Sequence, residues 1–381
     1  MTDSDSAIER FHRWLRHEFV GLNTELEKVY LSAGGQPESG RPELDGLRHA
    51  LARGGADLVG RIRADAVRAD ARQRYLLLGA IGFHLAACHR HGVDVPAAER
   101  TEALADRLGA SLGVAPRYVF AHQSRYGYRT FTSLPDEHAF VAGNGLGVLA
   151  YDRAARALRA VPAVGISSPL AGYLLRDAAA ALADVLRFHQ ELARTLDADV
   201  FYHHIRPYYL PYRVGGVEYR GVNAGDFAAI SEIDLLLGLC AADDPFYRRV
   251  LDEKYRYVPP EDQSALRSVV TEESLLELFL REAAAGAVTP GLRANAGAFL
   301  AVCRAHGAAY AYHHHRLVRP FLAEPARGAP AVTASGPPLD VVVRLLGRLA
   351  DLRAARDRPG APPTARAAID RLRALLDPAE P

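Results

Sequence analysis

A chain of 381 residues with 46 Lys and Arg against 45 Asp and Glu has a formal net charge of +1, which gives no general reason to expect nucleic acid or an anionic membrane as partner. Cys88, Cys240 and Cys303 lie far apart and no CxxC or CxxCH occurs, which excludes a disulfide framework and a covalent CxxCH-type cofactor and points to a reducing compartment. The start, MTDSDSAIERF, has neither a basic nor an apolar run, and no uncharged stretch is long enough to span a bilayer, so a soluble cytoplasmic protein is expected. Alanine, leucine and arginine dominate while alternating β-branched runs are scarce, which predicts a mainly α-helical fold.

Residues 6–27 read as an amphipathic helix with Ile8, Phe11, Trp14, Leu15 and Phe19 on one face. A Gly/Pro/Ser loop over 32–41 leads to helical segments at 42–53 and 56–71. Residues 74–90 form a strongly apolar helix. His84 and Cys88, four apart on it, are too few for a metal site and read as packing residues. After a further helix at 97–112, the aromatic density rises: Tyr118, Phe120, Tyr126, Tyr128 and Phe131 crowd a segment of weak periodicity, as in a structured loop lining an interior. A boundary placed before it divides the chain into an N-terminal helical domain, 1–113, and a C-terminal helical domain, 114–381. Helices over 137–160 and 170–197 follow, joined by a small-residue connection.

Residues 202–240 are irregular. Arg206 sits among aromatic and apolar residues, and Pro207, Pro211 and paired glycines prevent a regular helix. A buried arginine needs an anion, and two readings stand: an internal ion pair with Asp234 or Glu232, or the carboxylate of a bound substrate matched by the guanidinium fork. Gly221, Ala224 and Gly225 offer closely approachable backbone without a phosphate-loop lysine. A buried helix resumes at 231–239, a basic, aromatic connection covers 246–260, and a short helix covers 274–285.

The long helix that follows starts with Thr289 as cap and Pro290 at its first position and runs to 322. Phe299, Leu300, Cys303, Gly307, Tyr310, His314, Leu317, Val318 and Phe321 recur at steps of three and four, so His314 falls on the buried face. His313 and His315 are rotated by about 100° to either side, and three consecutive histidines on a helix cannot converge on one ion. A lone inward imidazole is either a core histidine satisfied by a hydrogen bond or an axial ligand to haem iron. A long Ala/Gly/Pro/Ser loop over 323–338, a helix at 339–356, a Pro-rich hinge and a last helix at 364–376 complete the chain.

Several of these strings occur in a telling order: Phe188-His189-Gln190, Ile205-Arg206-Pro207-Tyr208, the turn at 221–225, Ile233-Asp234-Leu235-Leu236-Leu237-Gly238, Tyr255-Arg256-Tyr257-Val258-Pro259-Pro260, and His314 with Val318, Phe321 and Leu322 at four, seven and eight residues beyond. Over roughly residues 74–350 the chain resembles the haem-dependent indoleamine and tryptophan dioxygenase superfamily, and within it the monodechloroaminopyrrolnitrin synthase branch. The resemblance implies an all-α, indoleamine dioxygenase-like fold with a small N-terminal and a large haem-binding helical domain. It implies non-covalent haem b ligated by His314, or by His313 if the register slips by one, with Asn223, Ala224 and Gly225 against the distal face. It also implies Arg206 as the catalytic-site anchor of the substrate carboxylate and Phe120, Ser124, Phe140 and Tyr209 as pocket-wall residues.

The departures bear on the reaction. Ala334-Ser335-Gly336-Pro337 stands where the dioxygenases carry Thr-Gly-Gly-Thr, leaving Ser335 as the hydroxyl for catalysis and substrate binding. Val222 replaces a glycine, and Ala311 replaces an arginine, which leaves Asp234 without its expected partner. Together they point away from plain conversion of tryptophan to N-formylkynurenine. The expected function is a haem-dependent oxygenase of secondary metabolism that brings dioxygen or peroxide to tryptophan or a tryptophan-derived aromatic amino acid. A tryptophan or indoleamine 2,3-dioxygenase proper and a non-catalytic haem sensor or carrier are the alternatives.

Overall fold

The computed structural model describes residues 3–32, 42–62, 66, 68–286, 288–318 and 339–377, and among these it is almost wholly helical. The segment read as one N-terminal helix is two, α1 (Asp3–Arg16) and α2 (Glu18–Ser32), with a turn at His17. The bend has a packing cause. Residues five apart on a straight helix point away from each other, whereas here the Trp14 and Phe19 rings meet edge to face at 5.5 Å. Helices α3 (Pro42–Gly60), α4 (Ala71–His91) and α5 (Ala98–Leu112) pack with them. Helix α4 is buried nearly all round. His84 and Cys88 are in its core, with Cys88 Sγ 3.7 Å from His84 Nδ1, and burial pushes the imidazole down to about 4 and the thiol up to about 12.

A short α6 (Ala121–Ser124) precedes the two longest helices, α7 (Pro135–Val164) and α8 (Pro169–Thr195). Ser168 caps α8 by accepting from the Ala171 amide at 3.2 Å, and Pro169 takes the first helical position. Asn295 clamps the α7–α8 turn from a third helix, donating to the Ile166 and Ser168 carbonyls at 2.7 Å each. Gly172 makes this possible, because a Cβ there would stand 2.4 Å from the Asn295 Oδ1.

The irregular segment read at 202–240 is a run of short elements. After α9 (Ala198–Val200) come a π-helical turn (Phe201–Ile205), a 3-10 turn (Arg206–Tyr209) and a hairpin of β1 (Tyr212–Val214) and β2 (Val217–Tyr219). Gly215 and Gly216, both at positive φ (56° and 79°), supply the two-residue turn that pairs Tyr212 with Tyr219. Buried Arg117 pins the hairpin, donating to the Tyr219 carbonyl at 3.1 Å and lying over the Tyr212 ring at 4.3 Å. The preceding turns are fixed to the N-terminal helices by a buried network: Glu27 accepts from Arg90 at 2.7 and 2.8 Å and bonds His204 at 2.8 Å, while His91 bonds Asn23 at 2.8 Å and the Tyr208 hydroxyl at 3.2 Å.

Helix α10 (Ala228–Leu236) is followed by α11 (Pro245–Tyr255) and α12 (Pro260–Val270). Helix α11 occupies most of the stretch read as a basic, aromatic connection, and α12 begins where that stretch ends. Each begins with proline at its first position, the one place where the missing N–H costs nothing. Helix α13 (Leu275–Ala285) starts with a complete Ser274–Glu277 capping box. Helix α14 (Pro290–Tyr312) runs along α8 and continues into a π-helical turn (His313–Val318); α15 (Leu339–Arg353) and α16 (Arg366–Leu376) complete the described chain. One buried apolar cluster extends from Ala7 to Leu376. No helix among the described residues is long and apolar enough to cross a membrane.

Candidate functional site

A cavity with ≈ 1230 Å³ of atom-free space, its open mouth included, lies where α7, α8, the 220–227 loop, α11, the end of α14 and α15 meet. Asn144, Gly147, Val148 and Tyr151 line it from one face of α7 at helical spacing. Asn223, Ala224 and Gly225 form the opposite lip. Their loop is held from within: Asn223 Oδ1 accepts from the Gly225 amide at 2.8 Å, and Asp226 accepts from the Asn223 amide at 3.2 Å while pairing with Arg220 at 2.8 and 2.9 Å. The Asn223 oxygen is thus committed to its own turn, and the cavity is met by small side chains and backbone.

Two histidines line this cavity, His313 from the end of α14 and His189 from α8, whereas His314 is buried away from its lining. The 3.6-residue phase that put His314 inward holds as far as Tyr310, which lines the cavity. At His313 the helix widens into the π-helical turn: the phase extrapolated from Phe299 still names the buried residue, His314, while His313 is the one that reaches the cavity. The ring of His313 stands 4.9 Å from that of His189 and 6.1 Å from that of Tyr310, and it makes no hydrogen bond to any described residue. Burial, reinforced by His189, Arg353 and His314, lowers its pKa well below the ordinary histidine value, so the ring is neutral at pH 7, the ligating form. His189 Nδ1 is buried without a hydrogen-bond partner, and burial pushes that imidazole down to about 4.

Behind the cavity lies an ionic knot. Asp234 accepts from Arg353 Nη2 at 2.6 Å and Nε at 2.8 Å, from His306 Nε2 at 2.7 Å and from the Tyr247 hydroxyl at 2.8 Å. Burial would raise the Asp234 pKa, but Arg353 and His306 overcome it and hold the carboxyl well below its usual range. The expectation that Asp234 lacks a partner is therefore wrong: Arg353, 119 residues away, supplies the guanidinium and also lies 4.0 Å over the Tyr310 ring. The Arg206 ion pair with Asp234 or Glu232 is likewise excluded, since Glu232 is paired with Arg159 at 3.4 Å.

Arg206 is buried with its guanidinium 4.9 Å over the Tyr202 ring and is not among the residues lining the cavity. Phe120, Phe140 and Tyr209 form an aromatic cluster of their own, Phe140 meeting Phe120 at 6.0 Å and Tyr209 at 5.5 Å. The Tyr209 hydroxyl donates to Gln123 at 2.8 Å, and the Ser124 hydroxyl is turned back onto the Phe120 carbonyl at 3.1 Å. This cluster adjoins the cavity through α7, where Asn144 donates to the Phe140 carbonyl at 2.8 Å. Ser335, Phe321 and Leu322 lie outside the described residues. Sequence reasoning missed Arg353, Lys254, Arg220 and Tyr151, all on the cavity wall; none carries a local signal, because each is brought there by tertiary contacts.

The donor set fits a group held through an imidazole in an apolar cavity better than a bare ion. Among the described residues no three His, Cys, Asp or Glu side chains converge, whereas two neutral imidazoles, His313 and His189, line a cavity with a small-residue lip. Fold and site together define an all-α protein of the indoleamine dioxygenase-like type. A comparison with known families matches residues 5–376 to the family Monodechloroaminopyrrolnitrin synthase PrnB, and the chain belongs to that family. Its members are oxidase- or dioxygenase-like enzymes that use oxygen on a tryptophan-derived small molecule.

Proposed function

We propose that this chain is a haem-dependent oxygenase acting on tryptophan or a tryptophan-derived aromatic amino acid in secondary metabolism, in which His313, rather than His314, would hold the haem iron. The observation that carries the reading is the His313 ring, neutral, without a hydrogen bond to any described residue, and facing a cavity edged by Ala224 and Gly225. Haem, once bound, supplies the activation of dioxygen or peroxide. The chain's part is to hold and orient. Asn223, locked in its turn, holds the Ala224–Gly225 backbone at the cavity lip, where it would lie against the bound haem. Phe120, Phe140 and Tyr209, which cluster beside the cavity rather than on its lining, are assigned the aromatic wall for the indole, and Arg206, likewise off the lining, is assigned the carboxylate, which would fix the ring within reacting distance. Residues 1–113 act as a helical buttress whose Glu27–Arg90–His204 network sets the position of the Arg206–Tyr209 turn. Ser335 is assigned the substrate-side hydroxyl.

The test is the absorption spectrum of protein purified from haem-supplemented cells, with and without tryptophan. His313→Ala is expected to lose the histidine-ligated Soret band while His314→Ala keeps it, and Arg206→Ala is expected to keep the band but lose its response to tryptophan. The opposite pattern for the two histidines would return the ligand to His314. A wild type that takes up no haem would refute the reading.

A further inference from the structure

Lys254 stands apart from the rest of the cavity wall. It is only 8 % exposed, yet it lines the cavity from α11. Among the described residues its ammonium has one hydrogen-bond partner, the Phe227 carbonyl at 3.3 Å, with the Phe227 ring 5.9 Å away. The other two cations of this wall are neutralised: Arg220 grips Asp226 in two bonds, and Arg353 grips Asp234. Glu253, its neighbour on α11, also lines the cavity but makes no ion pair with it. Burial, with Arg353 adding to it, pushes the lysine down to about 8, so it is still mostly charged at pH 7.

A buried ammonium whose one hydrogen bond among the described residues is to a carbonyl, and which feels Asp226 and Asp234 only as carboxylates already held by arginines, is a standing cost to the fold, and such groups gather where an anion is to be received. The surroundings say what kind. Val148, Ile230, Leu345, Leu346 and Leu349 give the cavity an apolar interior, so its ligand has a broad apolar body with a carboxylate at the edge. We propose that Lys254 is the carboxylate anchor of this cavity and that it takes a propionate of the bound tetrapyrrole. The assignment rests on the haem reading above. A substrate carboxylate has the same chemistry, and the experiment separates the two.

Wild type and Lys254→Met are compared for the rate of haem loss to excess apomyoglobin, for the affinity for haem against haem dimethyl ester, whose carboxylates are blocked, and for the affinity of the haem-loaded protein for tryptophan. One charge-assisted bond is worth on the order of 10- to 100-fold. The variant is expected to lose haem faster by that factor and to cease discriminating haem from the diester, with tryptophan affinity unchanged. Its apoprotein is expected to withstand more urea than wild-type apoprotein, since an uncompensated buried charge is gone; a merely structural lysine would give the reverse. A wild type that binds haem, with a variant that discriminates as before, overturns the anchor and leaves the haem reading intact. Loss of tryptophan affinity with haem retention unchanged hands the lysine to the substrate and overturns the propionate assignment. A wild type that binds neither haem nor the diester overturns both. The wild-type preference for haem over the diester needs no variant, so it reports even if Lys254→Met folds poorly, and Lys254→Gln provides a second variant.

Discussion

Removing the Arg353 guanidinium should destabilise the protein more than any exposed arginine can. Asp234 is wholly inaccessible and receives three close contacts from Arg353, at 2.6, 2.8 and 3.0 Å. In Arg353→Leu the carboxylate keeps only His306 at 2.7 Å and Tyr247 at 2.8 Å. Stripping one partner from a buried ion pair costs about 3–5 kcal/mol, and the lost stacking on Tyr310 adds about 1 kcal/mol. The two remaining donors offset part of this, at about 1 kcal/mol each. The net expectation is about 3 kcal/mol, a large share of the 5–15 kcal/mol by which a folded protein typically exceeds its unfolded chain. Urea unfolding would read it, with helix content followed by circular dichroism and the sole tryptophan, Trp14 on α1, followed by fluorescence; coincident transitions license a single free energy. Arg194→Leu, which removes an exposed pair with Glu191, is the control and should stay within about 0.5 kcal/mol of wild type. Asp234→Asn in the Arg353→Leu background should recover part of the loss, because the stranded charge is then gone. An Arg353→Leu protein within about 1 kcal/mol of wild type, with a double variant no better than additive, would refute the claim that this pair is what neutralises the buried carboxylate.

Acid should weaken the fold before most carboxylates titrate. Burial lowers His84 and His189 to about 4 and His91 and His122 to about 3, so between those values and about 6.5 the unfolded chain binds more protons than the folded one. Stability is then fully present above about pH 6.5 and is lost as pH falls, at up to about 1.4 kcal/mol per pH unit for each histidine. The melting temperature should be level above pH 7 and drop steeply from pH 6 to 5; a melting temperature unchanged down to pH 4.5 would contradict the buried, neutral state of these rings. Gly82→Ala should be costly, since its Cβ would sit 2.2 Å from the Tyr118 backbone nitrogen, whereas Gly21→Ala, a helical site with open space, should gain up to about 1 kcal/mol. Urea midpoints of the two variants moving in the same direction would argue against the close approach of α4 to the Tyr118 segment.

What was readable in the sequence is what depends on near neighbours. The cap at Thr289, the proline at 290 and the apolar periodicity of α14 are local, and with the Ala/Leu/Arg-rich composition they gave the helical class and many of its segments. The Asn223–Gly225 lip was legible for the same reason, since its small residues and self-bonding turn lie within three positions. Where local signals mislead, the cause is visible in particular residues. Tyr247 and Leu251 give α11 one buried face, but their spacing is masked by the charged residues around them, and the stretch reads as a connection. The phase of the histidine run named the buried residue, His314, but not His313, which lines the cavity, because a helix that widens by one residue shifts the later side chains, a change that leaves no mark on composition. The Asp234–Arg353 pair is opaque for a stronger reason. The partner of a buried charge is chosen by the packing of α15 against α14, so an arginine missing from one place in the sequence can be supplied from another 119 residues away, and only the folded chain shows that Asp234 was never left alone.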